Sequence, residues 1–368
     1  MTVREGYKCS QCHVNKTGGG ARTDYAKVYM ETRLAASPGS LFRPAGDPAK
    51  GVDIGHGRLS PFLAMGADVR ADYTSTSMNN ASATSQFDRS STCESCHAAT
   101  SGGGKRAEAF LRLEALPDTA TIVYQSSLVP TNVTKELFAV LDVLPANGYV
   151  KVGTFRLPTG LQNTFDTPFQ HASQGGYQAL LGLETVRAKG GVEVGLEPGP
   201  FSVSMSFTNA DNTANATTSQ RYMVSGYWTS RQATVGMAFA SDPINDKYSR
   251  TLTEVYVGTN VGRLTLLGQL DQIEVKDATT GAPTTQAAYL GEADFLLAKG
   301  HNLRLLYEAR DPDTNTKNDI RDRTSIIYEP FLTPYFQLRA GYRMYAGPVA
   351  TTNDNNGTQA FVEAHIVY

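Results

Sequence analysis

The 368-residue sequence predicts an all-β fold, an antiparallel β-barrel of the outer-membrane kind with about sixteen strands. Three observations carry this. From Ser60 onward the chain breaks into segments of roughly ten residues in which apolar and polar side chains alternate. The connectors between segments are alternately short and long. The closing segment, Phe361–Tyr368, alternates and ends on an aromatic residue, resembling the terminal strand of bacterial outer-membrane proteins. Composition agrees: 40% hydrophobic with 18% charged residues is too apolar for a disordered chain. A net charge of −2 leaves no basic excess for a phosphate backbone, so nucleic acid is not an expected partner. No apolar run approaches the roughly 18 residues of a spanning helix, and the opening MTVREGYKCS has no apolar signal region.

Taken in chain order, strands are expected at 61–77, 105–116, 120–129, 135–144, 148–158, 189–197, 201–209, 219–230, 233–241, 250–259, 263–274, 287–298, 301–310, 321–331, 335–346 and 358–368. The clearest is Phe201–Thr208, whose apolar and polar residues fall on strictly opposite faces. A soluble sandwich would also alternate, with its apolar face turned to a core. Loop asymmetry favours the barrel: turns such as 117–119, 146–147, 198–200, 231–232, 260–261 and 299–300 interleave with longer polar tracts such as 210–218, 275–285 and 347–357. Apolar faces then meet lipid and charged faces a polar lumen. In the last strand, if Tyr368 faces outward, His365 points into the lumen near the end where both termini lie.

Ahead of and within this pattern lie all four cysteines, as Cys9-Ser10-Gln11-Cys12-His13 and Cys93-Glu94-Ser95-Cys96-His97. This is the attachment pattern of c-type haem, twice. Two thiols at this spacing form thioethers to the vinyl groups of one haem, and the next histidine reaches the iron. Two disulfides or one four-Cys zinc site would not require histidine after each pair. The likeness of the two sites continues for nine residues: after each Cys-His come four residues, three glycines, one residue and arginine, Arg22 in the first copy and Arg106 in the second. Glycine triplets turn with positive φ and let backbone approach a flat ligand. The arginines are candidates for haem propionates. Covalent attachment takes place outside the cytoplasm, so an exported chain is expected.

Six histidines are present. With His13 and His97 as proximal ligands, the remaining axial positions draw on His56, His171, His301 and His365, and the methionines from Met30 to Met344 leave a His/Met iron open. His56 lies between two glycines and His171 in the irregular stretch before Lys189. Both are candidate sixth ligands, and His365 is either a lumenal rim residue bonded to a neighbour or the cap of the first haem.

The expected organisation is an N-terminal haem c module over 1–60 and a barrel over 61–368, with the second haem c motif in the first outer loop, 78–104. This arrangement resembles the fused cytochrome–porin proteins and the porin–cytochrome conduits. The resemblance implies outer-membrane localisation and electron transfer between a periplasmic cytochrome and an extracellular multihaem cytochrome or mineral. The chain departs from the fused iron oxidases in carrying two motifs, one inside the barrel sequence, so the resemblance does not extend to iron oxidation. A dihaem oxidase or peroxidase with one open iron, and a solute porin with accessory haems, are the alternatives. No catalytic residue is assigned.

Overall fold

In a computed structural model, residues 2–37, 53, 57–78, 81–87, 106–129, 133–155, 157, 160, 189–209, 220–243, 248–277, 283–347 and 356–368 are described. Three short helices, α1 (Thr2–Glu5), α2 (Cys9–Cys12) and α3 (Asp24–Tyr29), precede the strands. The strands are β1 (Leu63–Met78), β2 (Ala81–Phe87), β3 (Arg106–Leu116), β4 (Ala120–Val129), β5 (Val133–Leu144), β6 (Gly148–Thr154), β7 (Lys189–Leu196), β8 (Phe201–Asn209), β9 (Gln220–Thr229), β10 (Ala233–Pro243), β11 (Tyr248–Val261), β12 (Leu264–Asp277), β13 (Pro283–Ala298), β14 (His301–Asp311), β15 (Arg321–Thr333), β16 (Phe336–Ala346) and β17 (Gly357–Val367).

Strands β3 to β17 pair antiparallel in sequence order. The ring closes because β1 pairs with β17 on one side, Asp68 opposite Val367, and with β3 on the other, Leu63 opposite Leu113. All strands but β2 complete a closed sixteen-strand barrel. Each of the sixteen expected segments is a strand of this ring. Small shifts occur at the turns: β11 runs on through Val261 and turns at Gly262 and Arg263, where Gly262 takes φ 60°.

One strand was not expected. After Met78 the chain returns as β2 along the upper half of β1, ending with Phe87 opposite Tyr73, and β3 begins with Arg106 opposite Arg70. The 78–104 stretch is therefore not one outer loop. The part that carries the second motif joins points of the wall only three residues apart on β1. Ala-Ser-Ala-Thr-Ser-Gln-Phe has no large alternating apolar side chains, so period-two reading passed over it.

The inside-out burial is clearest in β8. Ser204 and Ser206 are 4% and 1% exposed whereas Val203 and Phe207 are 49% and 47% exposed, the reverse of a soluble sandwich. Across β13 to β17 the lumen wall holds its charges in pairs. Arg304 lies 2.7 Å from Glu292 and 3.0 Å from Glu329, and Arg339 lies 3.0 Å from Glu329 and 2.9 Å from Glu363, so opposite signs alternate across β13 to β17. A buried charge without such a partner would cost several kcal/mol.

Three lumenal rings lie over glycines of the neighbouring strand: Tyr149 on Gly195, Tyr256 on Gly236 and Phe361 on Gly341. Gly195 lets the Tyr149 ring lie along β7 so that its hydroxyl donates to Glu193 at 2.8 Å. A Cβ there would overlap the ring. Gly195→Ala is expected to lose about 1–3 kcal/mol of stability, read as a lower urea midpoint in detergent. Gly291→Ala, whose Cβ meets open space, should leave the midpoint unchanged. Equal midpoints for both variants would refute this account.

Candidate functional site: a cysteine–histidine hairpin inside the barrel

The single turn α2 places Cys9 and Cys12 on one side, three residues apart. It ends where the His13 N–H donates to the Cys9 carbonyl at 2.9 Å. His13 is extended and bridges antiparallel to Arg22, with Val14 N–H to the Ala21 carbonyl at 2.9 Å and Thr23 N–H to the Cys12 carbonyl at 3.1 Å. The tip of this hairpin is the glycine triplet. Gly18, Gly19 and Gly20 take φ of 101°, 79° and 65°, a run that residues with a Cβ adopt only under strain. Thr23 then caps α3, accepting from Ala26 N–H at 3.2 Å. Two thiols, an imidazole and a guanidinium thus share one small scaffold.

This hairpin faces a lumenal cavity of about 380 Å³. On the N-terminal side it is lined by Cys9, Cys12, His13, Gly18, Gly19, Arg22 and Met30; on the wall side by Ser202, Ser204, Tyr227, Tyr256, Gln337 and His365. Cys9 and Cys12 carry free thiols. Burial pushes both thiols up, so they stay protonated at neutral pH. Burial and the neighbouring Arg22 push His13 down to about 4, which leaves the imidazole neutral, the form that binds a metal. Its Nδ1 is buried with no hydrogen-bond partner.

The N-terminal segment touches the wall almost all the way round, always near the short turns. Arg4 donates to Thr265 and Asn302, Lys8 to the Glu197 carbonyl, Cys9 N–H to the Tyr227 hydroxyl, and Arg112 to Asp24. Lys16 pairs with Asp142 at 2.8 Å, Lys151 donates to Asn15 at 2.9 Å, and Ala36 N–H reaches the Phe331 carbonyl at 2.8 Å. Residues 2–37 are thereby a plug in the short-turn mouth.

Of the residues singled out from the sequence, the structure brings Cys9, Cys12, His13, Arg22 and His365 to one cavity. His365 points inward as strand parity required: Val362 and Ile366 are exposed, and Glu363, His365 and Val367 are buried. Its ring is held by neighbours, with Nδ1 2.9 Å from Gln337 Oε1 and Nε2 3.2 Å from Asp68 Oδ2. Arg106 is the first residue of β3, across from Arg70. His56, Cys93, Cys96, His97 and His171 lie outside the described residues. Sequence reading missed Tyr227, Asp68, Gln337 and Lys151. The usable signal was inward parity within a few residues of a short turn, which marks the wall that a plug must meet.

No protein-family model and no curated relative matches the sequence. Solved structures match by shape. An anion-selective porin from Comamonas acidovorans superposes with TM-score 0.62 at 14% identity, covering 83% of this chain and 99% of that one. OmpT, an outer membrane protein of Vibrio cholerae, gives 0.61 at 10% identity over 83% and 97%. The outer membrane channel DcaP of Acinetobacter baumannii gives 0.55 at 10% over 83% and 97%. The likeness is one of fold, and with the closed ring and polar interior it defines the chain as a porin-type sixteen-strand β-barrel.

Proposed function

We propose that the chain is a dihaem c-type cytochrome–porin that carries electrons across the bacterial outer membrane, between a periplasmic cytochrome and an extracellular multihaem cytochrome or mineral. The apolar outer face suits lipid, and the short turns would face the periplasm. The observation that carries the reading is the seating of a complete Cys-x-x-Cys-His hairpin inside the barrel, facing a cavity, rather than on an outer surface.

The residues present fit a haem. The thiols lie one turn apart, the glycine tip offers a flank without Cβ atoms, the neutral His13 has a buried Nδ1 without a partner, and Arg22 lines the same cavity. Cys9 and Cys12 would hold the group by thioethers, His13 would bind its iron and Arg22 would face a propionate. By the sequence repeat, Cys93, Cys96, His97 and Arg106 would serve a second, with His56 and His171 as further axial candidates. Bound there, haem would supply a one-electron couple. The chain itself holds the group within the barrel, and the plug sits across the mouth through which solutes would pass. That seating favours the conduit over a solute porin.

Intact mass should exceed the polypeptide by two haems. In sealed proteoliposomes, with a reductant inside and a membrane-impermeant acceptor outside, the protein should reduce the acceptor. Cys9→Ala/Cys12→Ala and Cys93→Ala/Cys96→Ala should each fall to the level of empty vesicles. A mass without haem, or solute flux with no electron transfer, overturns the reading.

A further inference from the structure

The haem reading of Cys9, Cys12 and His13 leaves the opposite side of the cavity unassigned, and the following rests on that reading. Three histidines lie among the described residues. His301 opens β14 on the outward-facing register and bonds the Tyr328 hydroxyl at 2.6 Å, away from the lumen. His13 and His365 line the same cavity. A short chain of neighbours joins them: His13 bridges Arg22, Arg22 and Asp68 line one adjoining pocket, and Asp68 lies 3.2 Å from His365.

The hydrogen bonds of His365 are informative. Gln337 stands directly across from it on β16, and its amide oxygen lies 2.9 Å from Nδ1. With the amide oxygen turned toward the ring, Nδ1 is the donor of this pair. In the neutral ring the lone pair is then on Nε2. That atom is buried, 3.2 Å from the Asp68 carboxylate. Asp68 has a second partner in Arg70, through two bonds of 2.9 and 3.0 Å, so it stays paired when Nε2 turns to another group. An imidazole whose Nδ1 is held by an amide across the strand and whose Nε2 lies in a buried cavity is oriented as a metal ligand is by its partner.

We propose that His365, presented by the last strand and oriented by Gln337, is the second axial ligand of the iron bound by His13. The first haem site is then built from the two ends of the chain. The plug contributes the thioethers and one imidazole, the wall the other, and the site is completed only when β17 closes onto β1. Met30, on the π-helical turn after α3, lines the same cavity and is the competing ligand.

The test uses the complete membrane protein in detergent. In the wild type both ferric haems should be low-spin. His365→Ala should keep the mass of two haems while one of the two becomes high-spin, and added imidazole should return it to low spin, which a merely structural role would not allow. Should that variant fold poorly, His365→Met keeps a ligand in place and should raise the potential of one haem while both stay low-spin. Gln337→Leu should preserve low spin and shift the same potential. Met30→Leu should change neither spin state nor potential. Unchanged low-spin spectra and potentials in His365→Ala, or a high-spin haem in Met30→Leu, overturn the assignment while leaving the conduit standing. Absence of haem at Cys9 and Cys12 in the wild type would overturn the conduit as well.

Discussion

Removing residues 2–37 is expected to turn a barrel of low conductance into an open channel. Sixteen strands enclose an aqueous lumen when nothing fills it. Here the segment meets the wall through Arg4, Lys8, Cys9, Lys16, Asp24 and Ala36, at positions spread from β3 to β15. The barrel does not need the plug for its own ladder, since every strand of the sixteen-strand ring pairs with strands on both sides. The truncated chain should therefore still show heat-modifiable migration. Planar-bilayer recordings of intact and truncated protein check the prediction, and equal single-channel conductance would show that residues 2–37 do not close the pore.

The second large effect is expected at Lys151. Its ammonium is fully buried 2.6 Å from the equally buried Glu193, and it also donates to Asn15 and Thr17 of the plug at 2.9 and 3.2 Å. Glu193 further accepts from Tyr149 and Ser206, each at 2.8 Å. Lys151→Met strands the carboxylate and unties the plug, at a cost of about 3–5 kcal/mol. The expected readouts are a lowered urea midpoint in detergent and an increased conductance. Adding Glu193→Gln removes the stranded charge and leaves an amide oxygen to accept from one of the Tyr149 and Ser206 hydroxyls and an NH2 to donate to the other, so the double variant should recover most of the stability. It should not recover the plug contact, and its conductance should stay high. A double variant as unstable as the single one would show that the ion pair is not the source of the loss.

Much of the wall was legible because period-two alternation is local. Phe201–Thr208 declares its two faces without reference to any other strand, and the same parity placed His365 inward from the C-terminal residues alone. The Cys-x-x-Cys-His hairpin was legible for a related reason. Its chemistry needs two thiols and an imidazole within one helical turn and the next residue, and the glycine triplet announces the hairpin tip by its conformational needs. β2 was not legible, because its pairing to β1 relies on backbone bonds rather than on a pattern of large side chains.

What the sequence alone determined is therefore the strand set, the facing of each strand and the composition of the Cys-Cys-His-Arg hairpin, all properties of residues close together in the chain. What only the tertiary structure decided is which groups meet across the lumen. Closure of β17 on β1 sets Asp68, Gln337 and His365 side by side. Seating of the plug brings Asn15 to Lys151, and Cys9 to Tyr227. These contacts join residues far apart in the chain, Asp68 and His365 the farthest, and local periodicity carries no register for them. The register is set by how many strands close the ring and where the plug's own charges find partners among the buried ones of the wall.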